Sequence, residues 1–270
     1  MILPKQNIQK EKIMLLEQFD TNKIAVINPD TFVKKIEGFP NTAVSIFNKK
    51  LIAEIEQNYN VEQIATISSE TKDYPVYKIN VDGTDIAIYQ TPVGAAAAVG
   101  SFEEVIAMGA KNLLLVGCCG CLDSKIEDYS IIIPTSAIRD EGTSYHYMPA
   151  SDEVEINIKC VNIIEYFIKS KNISYHKGKT WTTDGLYRET KDKVEMRKKQ
   201  GAITVDMECS AMAAVAKFRG VNFGQFFYAA DNLGAEEYDA RSLMIKELTD
   251  NKKKIIPLAI DCAIELDKNL

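Results

Sequence analysis

Residues 112–117 (NLLLVG) form an apolar run without polar alternation, the pattern of a strand buried on both faces. Shorter runs with strand character recur at 23–27 (KIAVI, ending at Asn-Pro), 64–68, 75–80, 84–90, 130–138, 174–183 and 223–230. Between 75–80 and 84–90 stands Val81-Asp82-Gly83. Asp-Gly between two strand patterns predicts a tight hairpin, because its central residues must take positive φ. Helical patterning fills the intervals. An Ala-rich segment over 94–110 has a small face that can press closely on a sheet, and 154–171 is amphipathic. Small and apolar residues fill 207–219, and 240–266 closes the chain as one long helix. Strands interleaved with helices predict an α/β fold, read as a single domain over 1–270 with a mixed central β-sheet flanked by helices. The hairpin is what makes the sheet mixed.

Open α/β sheets bind ligands beyond the carboxyl ends of their strands, so the polar residues after each apolar run are the candidate chemistry. Gly117-Cys118-Cys119-Gly120 follows 112–116, and Trp181-Thr182-Thr183-Asp184 ends the 174–183 strand. Asp206-Met207-Glu208 opens the 207–219 helix, and Asp231-Asn232 follows FGQFFYAA. These four segments are expected to meet on one rim.

Composition narrows the class. At 270 residues, 46% hydrophobic and 26% charged, the chain is an ordinary globular protein, neither disordered nor fibrous. Its 32 basic residues against 38 acidic ones leave a net charge of −6, without the basic footprint of a duplex-binding domain, so no nucleic-acid partner is expected. A small anionic ligand remains compatible with that charge. The opening MILPKQNIQKEK has no apolar leader region and no apolar run is long enough to span a bilayer, so no membrane association and a cytoplasmic location are expected. Cys118, Cys119 and Cys121 are too close to pair with one another, and the six cysteines form no disulfide framework. The C-C-x-C cluster lacks a matching His or Cys pair, so no metal site is expected. With only His146 and His176, a histidine-centred triad has thin support. GCCG lacks the third glycine and downstream acid of a dinucleotide fingerprint. A strand-end turn offering backbone N–H groups to an anion is the better reading.

Several carboxylates admit two readings. Asp206 and Glu208 stand at a helix start, as caps or as functional groups. Asp231 ends a very apolar strand, as a loop cap or as a carboxyl with a raised pKa able to donate a proton. Arg241, ten residues on, is its candidate partner or a plain surface arginine.

Val116-Gly117-Cys118-Cys119-Gly120, Ala137-Ile138-Arg139-Asp140-Glu141-Gly142-Thr143-Ser144, Thr182-Thr183-Asp184 and Val205-Asp206-Met207-Glu208-Cys209-Ser210-Ala211 come in this order. The series resembles the motifs of the nucleoside phosphorylase superfamily, over residues 60–250. That branch holds trimeric and hexameric purine nucleoside phosphorylases, uridine phosphorylases and hydrolytic nucleosidases. The resemblance implies cleavage of an N-glycosidic bond through an oxocarbenium-like transition state, with nucleoside and phosphate as partners. It also implies no cofactor beyond phosphate as co-substrate, and a homo-oligomer (dimer, trimer or hexamer).

By the same resemblance, Glu208 binds the ribose 2′ and 3′ hydroxyls and Met207 packs on the sugar. Two acceptor oxygens on one carboxylate suit a cis-diol. Asp231 protonates or hydrogen-bonds N7 of a departing purine, with Arg241 as its partner. Gly94, Gly117 and Cys118 face the phosphate or other nucleophile, and Trp181, Thr183, Leu186, Tyr187 and Arg188 line the base. Core packing is the plainer reading of Trp181 and Tyr187.

The chain also departs from the pattern. Leu115 stands where the family carries a phosphate-binding arginine, and Asn28-Pro29-Asp30-Thr31-Phe32-Val33 replaces the G-D-P-x-R loop. The departure removes charge-assisted contacts to a phosphate dianion, for which Arg139 and Arg188 are the candidate substitutes. Arg188-Glu189-Thr190-Lys191 lacks the Gln and Arg that read uracil, and with Asp231 this points to a purine rather than uridine. The alternatives are a hydrolytic nucleosidase, for which Asp30 is the one acid near the expected position, and a non-catalytic nucleoside-binding protein.

Overall fold

β5 (Asn112–Cys121) is the strand on which the rest is assembled, with one parallel neighbour along its length and a second beside Asn112–Val116. The computed structural model describes residues 14–270, so the opening segment read for a leader lies outside the described residues. Before β5 come β1 (Thr42–Ile46), β2 (Val61–Ser68), β3 (Asp73–Val81) and β4 (Thr84–Gln90). After it come β6 (Ile131–Asp140), β7 (Glu153–Glu155), β8 (Tyr175–Thr183), β9 (Ala202–Asp206) and β10 (Asn222–Asn232). The helices are α1 (Lys49–Asn58), α2 (Ala95–Met108), α3 (Ile158–Ser170), α4 (Lys191–Lys199), α5 (Cys209–Arg219), α6 (Asp250–Lys253) and α7 (Ile255–Asn269).

All ten strands share one sheet. From its outer edge the order is β2-β3-β4-β1-β5, then β9, β8, β6 and β10, and β10 pairs back onto β5 so that this half closes on itself. β1–β4, β1–β5 and β5–β10 are parallel while β2–β3, β3–β4 and β6–β10 are antiparallel, which is the mixed α/β sheet expected. The hairpin is present: Val81 pairs with Thr84, and Asp82 and Gly83 take φ of 51° and 83°. Leu113–Val116 are buried on both faces, between the sheet's neighbours and the helices, as their unbroken apolar pattern requires.

Other expectations are corrected. Residues 23–27 form no strand; Ile24 is 76% exposed and Val26 fully exposed on a surface segment. A lone apolar run without a neighbouring strand has no ladder for its backbone groups. The buried strand near the chain start is instead TAVSI of β1, inserted between β4 and β5. The 154–171 helix begins only at Ile158, because Asn157 caps it by accepting from Lys159 N at 3.0 Å while Val154 pairs with Ala137. The 240–266 helix is broken into a 3-10 turn at Arg241–Met244, the short α6 and then α7. Thr249 caps α6, and Pro257 sits in the first turn of α7, where its missing N–H costs nothing.

Residues 117–120 are not a turn. They continue β5 beside β10 as far as the Cys121–Asn232 pair, so their backbone groups serve the ladder. The glycines are there for space: an added Cβ at Gly117 would lie 2.8 Å from Phe47 Cδ2, and at Gly120 2.5 Å from Leu233 Cδ1. The β5–β10 register slips between Ala229 and Asp231, a bulge that sets Asp231 beside Gly120. Among the described residues no helix is long and apolar enough to cross a membrane.

Candidate active site

Where β9 ends and α5 begins, Asp206 organises the backbone. Its Oδ2 accepts from Glu208 N at 2.8 Å and Cys209 N at 2.7 Å, and its Oδ1 accepts from Thr182 Oγ1 at 2.8 Å and Thr180 Oγ1 at 3.1 Å. Burial pushes this carboxyl up to about 6, against the pull of those donors. Asp206 is thus a cap, the plainer of its two readings. Glu208, so fixed, turns its carboxylate to accept from Gly94 N at 2.6 Å, with half-buried Met207 beside it. Gly94 opens α2 at φ 101°, a conformation that favours glycine. Burial, and then the Asp206 charge, push Glu208 up to about 8.

The 139–144 motif braces this corner from behind. Glu141 accepts from Ser144 N and Ser210 Oγ, both at 2.9 Å, and Asp184 accepts from Gly142 N at 2.9 Å. Arg139 is buried; it donates to Ser144 Oγ and Pro149 O, each at 2.8 Å, and stacks 4.2 Å from the Tyr145 ring. These contacts use its Nε and Nη1, while its Nη2 is buried without a hydrogen-bond partner.

A cleft of about 540 Å³ opens beyond the end of β10, lined by Leu186, Tyr187, Glu189, Asp231, Tyr238 and Met244 among others. Asp231 is buried and raised by that burial, while the Tyr238 hydroxyl donates to its Oδ2 at 3.2 Å. Arg241 does not pair with it. It donates to Ile126 O at 2.8 Å and bridges Asp239 at 3.3 Å, and only its field reaches Asp231, lowering its pKa. The pairing is diverted because Asp239, two residues away, already fixes the guanidinium. Leu186 and Tyr187 line this cleft, whereas Arg188 is exposed beside it. Thr183 is buried and shapes the turn by accepting from Gly185 N at 3.2 Å. Trp181 leaves the base-lining set: it is fully buried with Ile138, Val194 and Val205, and its Nε1 donates to Asp140 Oδ2 at 3.0 Å.

Glu189 escaped the sequence reading, where it counted only as a departure from a uracil-reading pattern. Its half-buried carboxyl is pushed up to about 7 by burial and by Asp231. A lone acid following Leu-Tyr-Arg was the one signal available.

Cys118, on β5, pairs with Tyr228, two residues before the Gly120 that stands opposite Asp231. Solvent reaches it, yet the surrounding protein pushes its thiol up to about 11, with Asp231 and then Glu208 adding to the effect. It is therefore a neutral thiol at neutral pH. Gly117 packs against the Phe47 ring. Leu115 is buried in the core. Residues 28–33 follow no strand; the segment that leaves β1 toward Cys118 is Phe47-Asn48-Lys49-Lys50, and it takes the place assigned to Asn28–Val33.

Fold and site together define a class: the profile of the Phosphorylase superfamily matches residues 28–261, and the chain belongs to that family. It is 22% identical to a guanosine phosphorylase of Halorubrum lacusprofundi over 264 residues, covering 95% of this chain and 99% of the relative. A purine nucleoside phosphorylase of Toxoplasma gondii in complex with immucillin-H superimposes with a TM-score of 0.74 at 18% identity, covering 88% of this chain and 98% of that one. A uridine phosphorylase of Vibrio fischeri complexed with 6-hydroxy-1-naphthoic acid gives the same TM-score and coverage at 22% identity.

Proposed function

We propose that this chain cleaves the N-glycosidic bond of a nucleoside by phosphorolysis, preferring a purine as the departing base. The observation that carries the reading is buried Glu208, accepting from Gly94 N at 2.6 Å, together with Asp231, which the β10 bulge sets beside Gly120 of β5 in the wall of the 540 Å³ cleft. Glu208 hydrogen-bonds the ribose diol, on a backbone pinned by Asp206. As the C1′–N9 bond breaks, the sugar becomes oxocarbenium-like and negative charge builds on the base. Asp231, whose burial favours the protonated form, donates to N7 and neutralises that charge. A phosphate oxygen closes on C1′, giving ribose 1-phosphate and free base. Family membership and the phosphorylase relatives support phosphate over water as acceptor. The guanosine phosphorylase relative and the acid at 231 support a purine. We also propose a cytoplasmic homo-oligomer without a cofactor.

The test is incubation with inosine, guanosine, adenosine and uridine, with and without phosphate, and chromatography of the products. Ribose 1-phosphate and free purine, only with phosphate present, are expected. Free ribose in phosphate-free buffer would replace phosphorolysis with hydrolysis, and no base release from any substrate would reduce the site to a binding site.

A further inference from the structure

Among the described residues four besides glycine take positive φ: Asp82, Asn172, Tyr129 and Arg241. Aspartate and asparagine enter this region at small cost, and both of these stand in turns. Tyr129, at 62°, and Arg241, at 39°, are bulky, and such residues stay there only where the surroundings hold them. These two are far apart in the chain, yet their segments clasp each other. Arg241 Nη1 donates to Ile126 O at 2.8 Å, and Ser242 Oγ donates to Asp128 Oδ1 at 2.6 Å. The Tyr129 hydroxyl lies 3.1 Å from Oγ1 of Thr249, the residue that caps α6, and its ring stacks on Tyr228 with centroids 6.4 Å apart. The clasp closes around Asp231. On one side Ala229, the last residue before the bulge, donates to Ser130 O and accepts from Tyr129 N, both at 2.9 Å. On the other side Asn232 exchanges two backbone hydrogen bonds with Asp239, at 2.8 and 3.1 Å. From Asp239 the chain runs on to Arg241 and Ser242, and through them back to residues 126 and 128. Tyr238, which donates to Asp231 at 3.2 Å, lies on the same ring of contacts. A glycine would take the backbone angle of Tyr129 without strain, so the tyrosine is there for its stack and its hydroxyl contact.

We propose that Tyr129 is a positioning residue: the clasp it forms with segment 239–242 and Thr249 fixes the Asp231 carboxyl against the cleft wall that carries Tyr238 and Met244. Tyr129 borders a surface groove of about 480 Å³ and is absent from the lining of the cleft, so it acts through Asp231 and that wall. The effect on turnover rests on the nucleoside reading above; the hold on the carboxyl does not.

A double-mutant cycle in the full chain tests this, using Tyr129→Gly. Glycine keeps the backbone angle, and the space it leaves opens onto the surface groove rather than a sealed void, so the fold is retained. Tyr129→Gly is expected to lower kcat/KM on inosine about tenfold in the wild type, but less than about twofold in Asp231→Asn, where there is no acid left to position. Tyr129→Phe, which removes only the Thr249 contact, is expected to follow the same pattern at about threefold, and serves if the glycine variant does not fold. Equal losses in both backgrounds would make Tyr129 a general structural residue and overturn the proposal. A second readout needs no turnover. Burial holds Asp231 above the ordinary aspartate range, and carboxyl-carbon NMR should show it titrating closer to that range in Tyr129→Gly, as water reaches a loosened carboxyl. An unchanged Asp231 titration overturns the clasp whatever the activity. A displaced titration with no base release from wild-type protein would instead overturn the phosphorolysis reading and leave the clasp standing.

Discussion

The corner around Glu208 and the cleft around Asp231 are built in opposite ways. At the corner, Asp206, Glu208, Glu141 and Asp184 are each tied to backbone N–H groups of neighbouring elements, at 2.6 to 2.9 Å. In the cleft, Asp231 has one side-chain donor at 3.2 Å, Tyr187 is 94% exposed, and the walls are largely loop and 3-10 turn. On the proposed assignment the rigid corner would hold the ribose, which is common to every nucleoside, and the cleft would meet the base, which varies, on segments that can change without disturbing the sheet.

That contrast can be broken most severely at Glu208. Glu208→Ala removes the proposed diol ligand for every substrate, and kcat/KM is expected to fall about 10³-fold on inosine, guanosine and uridine alike. Asp206 still caps α5 in that variant, so circular dichroism should be unchanged; wild-type rates would remove Glu208 from the site.

The cleft should respond selectively. Asp231→Asn cannot supply a proton, and a loss of about 10²-fold on purine nucleosides is expected, with less than about tenfold on uridine. Equal losses on both would make Asp231 a structural residue and erase the distinction between the two regions.

The smallest effect concerns stability. The folded protein holds a proton on Glu208 up to about pH 8, while the unfolded chain releases it near the usual 4.5. Through that window the folded state binds more protons than the unfolded state, so this carboxyl lowers stability progressively as pH rises. Glu208→Gln keeps an acceptor for Gly94 N without the charge, and is expected to melt several degrees above the wild type at pH 8. The gap should close as pH approaches 4.5, and a pH-independent gap would contradict the assignment.

What could be read from the sequence was what is local. The Asp82-Gly83 hairpin, the doubly buried β5 and the carboxylates at 206, 208 and 231 each announce themselves within a few residues. β1 did not, because a five-residue strand containing Thr and Ser looks like many surface segments, and only its place between β4 and β5 makes it core. The break at 240–266 was hidden because the apolar residues of that stretch keep helical spacing across a 3-10 turn and a Thr249 cap. Glu189 was hidden for a further reason. It looks like an ordinary charged residue until a partner distant in the chain, Asp231, acts on it.

The bulge in β10 determines which way Asp231 points. Side chains along a strand alternate, so in an unbroken β10 Asp231 would share a face with Phe227 and Ala229. The slip after Ala229 resets the phase: Asp231 falls opposite Gly120 and joins the face of Tyr228 and Cys118. Gly120 then has to stay bare, since a methyl group there would come within 3.2 Å of the Asp231 carboxylate. Deleting Ala230 would leave every functional residue in the sequence and turn the acid to the far side of the sheet.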